Sequence, residues 1–244
     1  MATAREVGGI GVLFARVLRS LIPPSMDRRE LLRNFHKMGN LSVPIVVLTA
    51  FFTGGIMVIQ SGIFVKRFNA TGLVGWGTGY AVFRELGPIL IALMFSGRVG
   101  ANNTAELGTM TVTEQLDGLR ALAINPIKYL VVPRVIAMIV TLFMLTVIGD
   151  LVAILGALLF AKLILNVEFA TFYWSLVDNL QLADFTHGLY KSLVFGASIA
   201  LTSCHFGITV RGGAVGVGRA VNAAVVAAAV SIMLLAFLMT YLLT

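Results

Sequence analysis

The stretch that decides the fold is Pro133–Leu165, which reads PRVIAMIVTLFMLTVIGDLVAILGALLFAKLIL. At ~1.5 Å per residue a helix of this length reaches about 50 Å, whereas the hydrocarbon core of a bilayer is roughly 30 Å thick. The run is therefore too long for one simple crossing and too short for two. It predicts one long helix that projects beyond the bilayer, with a hairpin broken at Gly149-Asp150 as the alternative.

The composition of the whole chain agrees with a membrane environment. Of its 244 residues, 58% are hydrophobic and only 12% are charged, and the mean hydropathy is +0.95. A soluble domain has about 45–50% apolar and about 25% charged residues, and one soluble core of this size cannot hide so much apolar side chain. We therefore predict an all-α integral membrane protein.

The net charge of +7 does not indicate nucleic-acid binding. The basic residues lie beside hydrophobic runs, where the positive-inside rule and anionic headgroups place them. Cys204 is the single cysteine, so an intrachain disulfide is excluded, and its flanks have no metal-ligand spacing. We expect neither nucleic acid nor a bound metal.

Further hydrophobic runs bring the expected number of transmembrane helices to about five. We predict a single membrane domain over residues 1–244. Its expected parts are interfacial helices (1–40), the first two spans (41–96), a polar segment (97–128), the long third span (129–165), an outer interfacial helix (166–184) and the last two spans (185–244).

Two amphipathic segments predict helices that lie in the membrane surface. In residues 5–21 the apolar side chains form one helical stripe with the arginines off it, and Pro23-Pro24 ends the helix. In residues 166–184 aromatic residues recur at helical spacing, which is typical of an interfacial anchor.

The distribution of charge predicts the orientation of the chain. If the N-terminus lies inside, most Lys and Arg residues lie inside too, because the outer segments hold only Lys66, Arg67, Lys162 and Lys191. That asymmetry favours a cytoplasmic N-terminus and an outer C-terminus. A sixth span would invert the later loops and remove the asymmetry.

Ionisable residues inside predicted spans are functional candidates, since each costs about 2.5–3.5 kcal/mol on the insertion scale. Adjacent helical residues do not face each other, so Arg84 and Glu85 should have separate partners. They either fix helix packing or border a substrate cavity. Lys191, on a polar face of the fourth span, is a candidate for a ligand phosphate, and Asp150 is a candidate partner for Arg84 or Lys191.

The polar segment from Glu106 to Pro126 carries acids beside a short apolar stripe of Val112, Leu116 and Leu119. By the charge distribution it is cytoplasmic. A short helix in a cytoplasmic loop is suited to docking into a groove of a soluble partner. The alternative, a loop exposed to water, would not require an apolar stripe.

The same region carries a family resemblance. Several motifs closely resemble those of the MlaE/YrbE permeases. They are Arg84-Glu85-Leu86-Gly87-Pro88, Gly97-Arg98-Val99-Gly100, Glu106-Leu107-Gly108-Thr109-Met110, Thr113-Glu114-Gln115-Leu116, Asn125-Pro126, Pro133-Arg134 and the later run Gly212 to Ala220. Those proteins are the transmembrane subunits of ABC transporters that move phospholipid or related lipids between membranes together with MCE-domain proteins.

The resemblance implies a set of partners and a bacterial inner-membrane location. Two copies of the chain would pair, each resting on an ABC ATPase, with an MCE-domain substrate-binding protein on the far side and in some systems a small STAS-domain subunit. No Lys follows a Gly in this chain, so it has no phosphate-binding Walker loop. We therefore expect a non-enzymatic subunit without a cofactor, whose partner binds the ATP.

The resemblance also implies site residues. The ATPase-coupling residues would be Glu114, Gln115, Leu116, Asp117 and Leu119. The lipid cavity, between the first spans of the two copies, would lie near Arg84, Glu85 and Lys191, with Met57, Phe64, Val65 and Phe68 as lining. Relatives often carry an acid in the last span, where this chain has Ala236-Phe237-Leu238-Met239-Thr240, so no charge is assigned there.

Two other functions remain open from the sequence. A secondary transporter of a hydrophobic substrate, driven by protons through Glu85 or Asp150, would favour internal repeats with paired broken helices, and the chain has no evident repeat. A structural adaptor would leave the intramembrane charges without a purpose. Import and export, and the identity of the lipid, are equally compatible with the sequence.

Overall fold

The computed structural model describes residues 2–20, 28–68 and 71–243, and every regular element in these ranges is helical. The helices are α1 (Ala2–Ser20), α2 (Arg28–Phe35), α3 (Val43–Phe68), α4 (Val74–Ala81), α5 (Gly87–Phe95), α6 (Ala101–Val112), α7 (Gln115–Ala121), α8 (Val132–Leu165), α9 (Phe169–Asn179), α10 (Leu182–Ile208) and α11 (Gly213–Leu243).

Short π-helical turns join several of these helices end to end. They occupy His36–Asn40, Val82–Leu86, Ser96–Gly100 and Ile127–Val131. Such turns widen the backbone by one residue and are frequent at functional sites. Two of them lie in the stretch Val74–Val112, one at the Arg84-Glu85 pair and one at Arg98.

The all-α integral membrane fold is confirmed. Within the described ranges, four helical stretches are long and apolar enough to cross a membrane: Glu30–Ile63, Val74–Val112, Ile127–Leu165 and Gly213–Leu242. The predicted fourth span coincides with α10, whose 27 residues suffice in length. Its ionisable residues lower its hydropathy, so that the total of five spans stays a prediction.

The long apolar run is one helix. Residues Val132–Leu165 form 34 uninterrupted helical residues, so the predicted long helix is confirmed and the hairpin is wrong. Gly149 does not break the helix because it packs closely, with Ile91 and Val46 against the position of its missing Cβ.

The helices divide into two compact units. The first unit comprises residues 1–41, 93–141 and 194–235, and the second comprises residues 42–92, 142–193 and 236–244. Because the long helices are continuous, several of them contribute residues to both units.

In the first unit, a buried polar chain lies among apolar side chains. The Nη1 of Arg134 donates to Oδ1 of Asn103 at 2.9 Å, and Nδ2 of Asn103 donates to Oγ of Ser203 at 2.9 Å. Arg134 is 4% exposed and Asn103 is 1% exposed. The chain gives Nη1 of Arg134 and both amide atoms of Asn103 the partners that buried polar groups need, whereas Nε of Arg134 has no hydrogen-bond partner among the described residues. It links the start of α8, α6 and the end of α10.

In the second unit, small residues bring α3 and α8 into direct backbone contact. A Cβ added to Gly54 would lie 1.8 Å from the carbonyl oxygen of Ala153, and one added to Gly156 would lie 2.2 Å from that of Phe51. Such reciprocal contacts are the way membrane helices approach closely. Gly54 and Gly156 therefore mark the closest approach of these two helices.

Helices are present at both predicted interfacial positions. On α1, Leu13 and Val17 of the apolar stripe are buried, while Phe14 and Leu18 are exposed. Pro23-Pro24 lies outside the described residues. On α9, Phe172 is buried, and Tyr173 and Trp174 are exposed as anchors would be.

Candidate functional site

A cluster of charged side chains surrounds the π turn Val82–Leu86 in the second unit. Pro88 has no N–H, so it cannot donate to the carbonyl oxygen of Arg84 four residues earlier, as a helical residue would. The Nζ of Lys191 on α10 donates to that oxygen instead, at 2.9 Å. The motif and α10 are therefore joined through a backbone carbonyl to which Pro88 cannot donate.

Lys191 is the centre of this cluster. Its side chain is 1% exposed, and its Nζ also donates to Oε1 of Glu85 at 2.5 Å and to Oγ1 of Thr240 at 2.9 Å. An ammonium group has three N–H donors, and Lys191 has an acceptor for each of them. A ligand phosphate at this site would have to replace one of these acceptors.

Glu85 and Thr240 complete the cluster from two other helices. The hydroxyl of Thr240, on α11, lies 2.8 Å from Oε1 of Glu85. The carboxylate side chain is 32% exposed. We name Glu85, Lys191 and Thr240 the lysine cluster. This carboxylate is the exposed part of the cluster, whereas the ammonium group of Lys191 is enclosed.

Arg84 belongs to a separate pair. Its Nη1 lies 3.2 Å from Oδ1 of Asp184, and its guanidinium lies 5.3 Å from the centre of the Tyr80 ring. The prediction that Arg84 and Glu85 have separate partners is confirmed. The reason is helical geometry, because neighbouring residues project about 100° apart.

The suggested pairing of Asp150 with Arg84 or Lys191 is wrong. Each of those cations is paired with another carboxylate, Asp184 or Glu85. Asp150 is fully buried, and neither of its carboxyl oxygens accepts a hydrogen bond from a residue in the described part of the chain. It lies against Gly87, where an added Cβ would be 2.1 Å from Oδ1.

The predicted lipid-lining residues have different outcomes. Met57 is half-buried and packs on a small apolar core that includes Ala50, Phe83 and Ala153. The side chains of Phe64, Val65 and Phe68 lie outside the described residues. Their role as cavity lining stays a prediction.

The predicted coupling segment is a short helix in the first unit. Helix α7 begins at Gln115 and ends at Ala121, and both Glu114 before it and Ala123 after it have left-handed backbone, each with φ 59°. Non-glycine residues rarely adopt this conformation. The two residues turn the chain sharply on either side of α7, so the helix stands out as a separate element.

The side chains of α7 divide into an inner and an outer group. Leu116 is 4% exposed and anchors the helix, and Leu119 is half-buried. Glu114, Gln115 and Asp117 are exposed. Asp117 pairs with Arg120 at 2.7 Å on the surface, where such a pair contributes little stability. The polar members are the ones available to a partner.

A second ion cluster supports the start of the polar segment. Glu106 accepts hydrogen bonds from Nζ of Lys37 and from Nδ2 of Asn102, and lies 3.4 Å from Nη1 of Arg134. Sequence reasoning missed this cluster and also Thr240. The position of Arg134 in the sequence could have predicted the cluster, because an arginine inside an apolar run needs buried polar partners.

Comparison with known proteins yields one family and several relatives. Residues 31–242 match the family described as Permease MlaE. A probable ABC transporter permease protein of Rickettsia typhi is 40% identical over 236 residues, covering 96% of this chain and 91% of the relative. One of Synechocystis is 38% identical, over 95% of this chain and 87% of the relative.

A relative from a plant shares the similarity. The chloroplastic protein trigalactosyldiacylglycerol 1 of Arabidopsis thaliana is 33% identical over 234 residues, which cover 95% of this chain and 66% of the relative. The lysine cluster, α7 and Glu106 all lie within residues 31–242, the range that matches the family.

Proposed function

The chain belongs to the MlaE permease family, and from that premise we propose that it is the membrane subunit of an ABC transporter that moves phospholipid or a related lipid between membranes. The chain is a multi-pass membrane protein and the transport subunit of an ABC transporter. Such a permease works with a separate ATPase. The exposed helix α7 is the observation that carries the proposal.

Helix α7 is suited to transmit force from an ATPase. Its outer residues Glu114, Gln115 and Asp117 are free to meet a soluble surface, and Leu116 ties the helix to the first unit. The left-handed residues Glu114 and Ala123 flank α7 and would act as hinges about which the helix moves. Nucleotide-driven movement of the ATPase would push α7 and shift the spans to which it is attached.

A lipid cargo is supported by two observations. In the lysine cluster, the part-exposed Glu85 is the acceptor that a lipid phosphate would replace on Lys191, because a lysine ammonium binds phosphate as a point charge. The name of the Arabidopsis relative is that of a glycolipid. In our proposal the lipid lies between the first spans of two copies, near Arg84, Glu85 and Lys191, with Met57, Phe64, Val65 and Phe68 as lining.

The assembly that we propose contains further partners. A second copy of the chain completes the cavity, an MCE-domain protein receives or delivers lipid on the outer side, and a STAS-domain subunit associates with the ATPase in some systems. In our proposal the protein lies in a bacterial inner membrane, as membership of the family implies. Its N-terminus is cytoplasmic, which the distribution of Lys and Arg favours.

The substitution Glu114→Lys tests the role of α7. It reverses an exposed charge without touching a buried side chain, so the protein should fold normally and lose ATP-driven lipid transfer and the stimulation of ATPase activity by the permease. The measurements are ATPase rate and transfer of labelled phospholipid in the reconstituted complex. Asp178→Lys, an exposed charge reversal on α9, is the matched control.

Retention of normal ATPase stimulation and lipid transfer by the Glu114→Lys complex would contradict the proposal. One observation favours a second candidate, the proton-coupled transporter: Asp150 is buried without a hydrogen-bond donor among the described residues. Its other named residue, Glu85, is already paired with Lys191. Lipid movement that continues without ATP and stops in Asp150→Asn would support that candidate.

A further inference from the structure

A cavity of about 560 Å³ lies in the first unit, and none of the residues assigned to the lipid pathway lines it. Its lining comes from α1, α6, α7, residues 123–126, the π turn Ile127–Val131 and the end of α10. The volume is within the range of small-molecule sites, about 300–1,000 Å³. The cavity is therefore large enough for a ligand.

The walls of the cavity combine an apolar floor with a cationic rim. The floor includes the buried side chains of Leu107, Leu116, Leu130 and Val131. The rim carries two guanidinium groups, and the described residues that line the cavity include no acid. Such a surface fits a molecule that is anionic at one end and apolar at the other.

The two arginines of the rim come from different elements. Arg16 lies on α1 and forms no ion pair with any residue in the described part of the chain, whereas Arg120 on α7 pairs with Asp117 at the surface. One full positive charge and one partly neutralised charge therefore face the cavity. Guanidinium groups bind phosphate by paired hydrogen bonds.

The position of α1 indicates where such a ligand comes from. Val12, Phe14 and Leu18 are exposed on this helix although they are apolar, and α1 packs against the π turn Ile127–Val131. A helix with an exposed apolar side and arginines lies in a membrane surface. Basic pockets beside such helices bind anionic headgroups.

We propose that this cavity binds the headgroup of an anionic phospholipid from the surrounding leaflet, as a site separate from the transported lipid. The phosphate lies between Arg16 and Arg120, and the first methylene groups of the acyl chains rest on the apolar floor. A lipid bound there would hold α1 and α7 together. The readiness of α7 to move would then depend on the anionic lipid content of the membrane.

The test is lipid binding by the purified permease–ATPase complex. The complex in detergent is titrated with phosphatidylglycerol or phosphatidylcholine, and the retained lipid is counted by native mass spectrometry. We expect preferential retention of phosphatidylglycerol. We expect affinity to fall about tenfold in Arg16→Gln and further in Arg16→Gln/Arg120→Gln, tenfold being roughly 1.4 kcal/mol.

Two variants keep the experiment specific. Arg19→Gln removes a neighbouring charge on α1 that does not line the cavity, so phosphatidylglycerol retention should not change. Arg16→Lys keeps the charge and loses the paired geometry, so its affinity should be intermediate. Arg16 and Arg120 are exposed, and the thermal unfolding of every variant should match that of the wild type.

Four results would overturn the proposal. The first two are equal retention of phosphatidylcholine and, separately, equal loss of phosphatidylglycerol in the Arg19→Gln control. The third is displacement of phosphatidylglycerol by excess inorganic phosphate, which identifies a site for a free anion. The fourth is loss of the lipid when the ATPase is added to the isolated permease, which identifies an acidic segment of the ATPase as the occupant.

Discussion

Lys191 shows how one residue joins three helices in an apolar surrounding. Its ammonium group is completely buried, and its acceptors are a carboxylate, a hydroxyl and a backbone carbonyl that Pro88 leaves without its usual donor. A buried charge is tolerated only with such partners. The lysine cluster is thus a structural joint as well as a candidate ligand site.

Removal of the ammonium group should therefore be costly. We expect Lys191→Met to lower the free energy of unfolding by roughly 3 kcal/mol, because breaking a buried pair leaves its partners unsatisfied. Glu85 is part-exposed, which keeps the loss at the low end of the range. Unfolding in mixed micelles measures it, and Lys162→Met on α8 is the control.

A double variant separates pairing from packing. Lys191→Met/Glu85→Gln should recover part of the loss, since no unpaired carboxylate remains. Additive effects of the two single substitutions would show that Glu85 and Lys191 do not interact energetically.

At the scale of elements, close contact between α3 and α8 is what the glycines of the first span provide. The structure identifies α8 as the partner of α3, because the carbonyl oxygen of Ala153 lies beside Gly54. The sequence does not predict this pairing, because nothing local to Gly54 distinguishes α8 from any other helix.

Gly54→Ala should separate the two helices. The added Cβ would lie 1.8 Å from a backbone oxygen, which cannot move like a flexible side chain, and we expect a loss of about 2 kcal/mol or more, as for overpacked cores. Gly77→Ala on α4 meets nothing within 4 Å and should be neutral or slightly stabilising. Melting temperatures of the two purified variants provide the comparison, and equal melting temperatures would refute the close contact.

The ionic partners mark the limit of prediction at this scale. Helical geometry correctly separated the partners of Arg84 and Glu85, since it depends only on adjacent positions. The identity of the partners depends on residues about 100 positions away, such as Asp184. For that reason Asp150 was assigned wrongly and Thr240 was missed.

At the scale of the whole molecule, hydropathy was the most informative property. Bilayer thickness sets the length of a span, so the apolar runs predicted the long helix α8 and four of the crossing stretches. The ionisable face of α10 is less apolar because its residues contact protein, and hydropathy alone does not identify such a helix as a span. Orientation rests on the distribution of charge.

We propose above all that α7 is a cytoplasmic docking element for an ATPase, and cysteine labelling tests this most directly. The native Cys204 is buried and is replaced by serine, after which Asp117→Cys or Asp178→Cys supplies one exposed thiol on α7 or α9. Spheroplasts of a bacterial host are treated with a membrane-impermeant maleimide. We predict that Asp178→Cys is labelled in intact spheroplasts, whereas Asp117→Cys is labelled only after permeabilisation. Added ATPase should protect the Asp117→Cys thiol from labelling. Labelling of Asp117→Cys in intact spheroplasts would contradict the account.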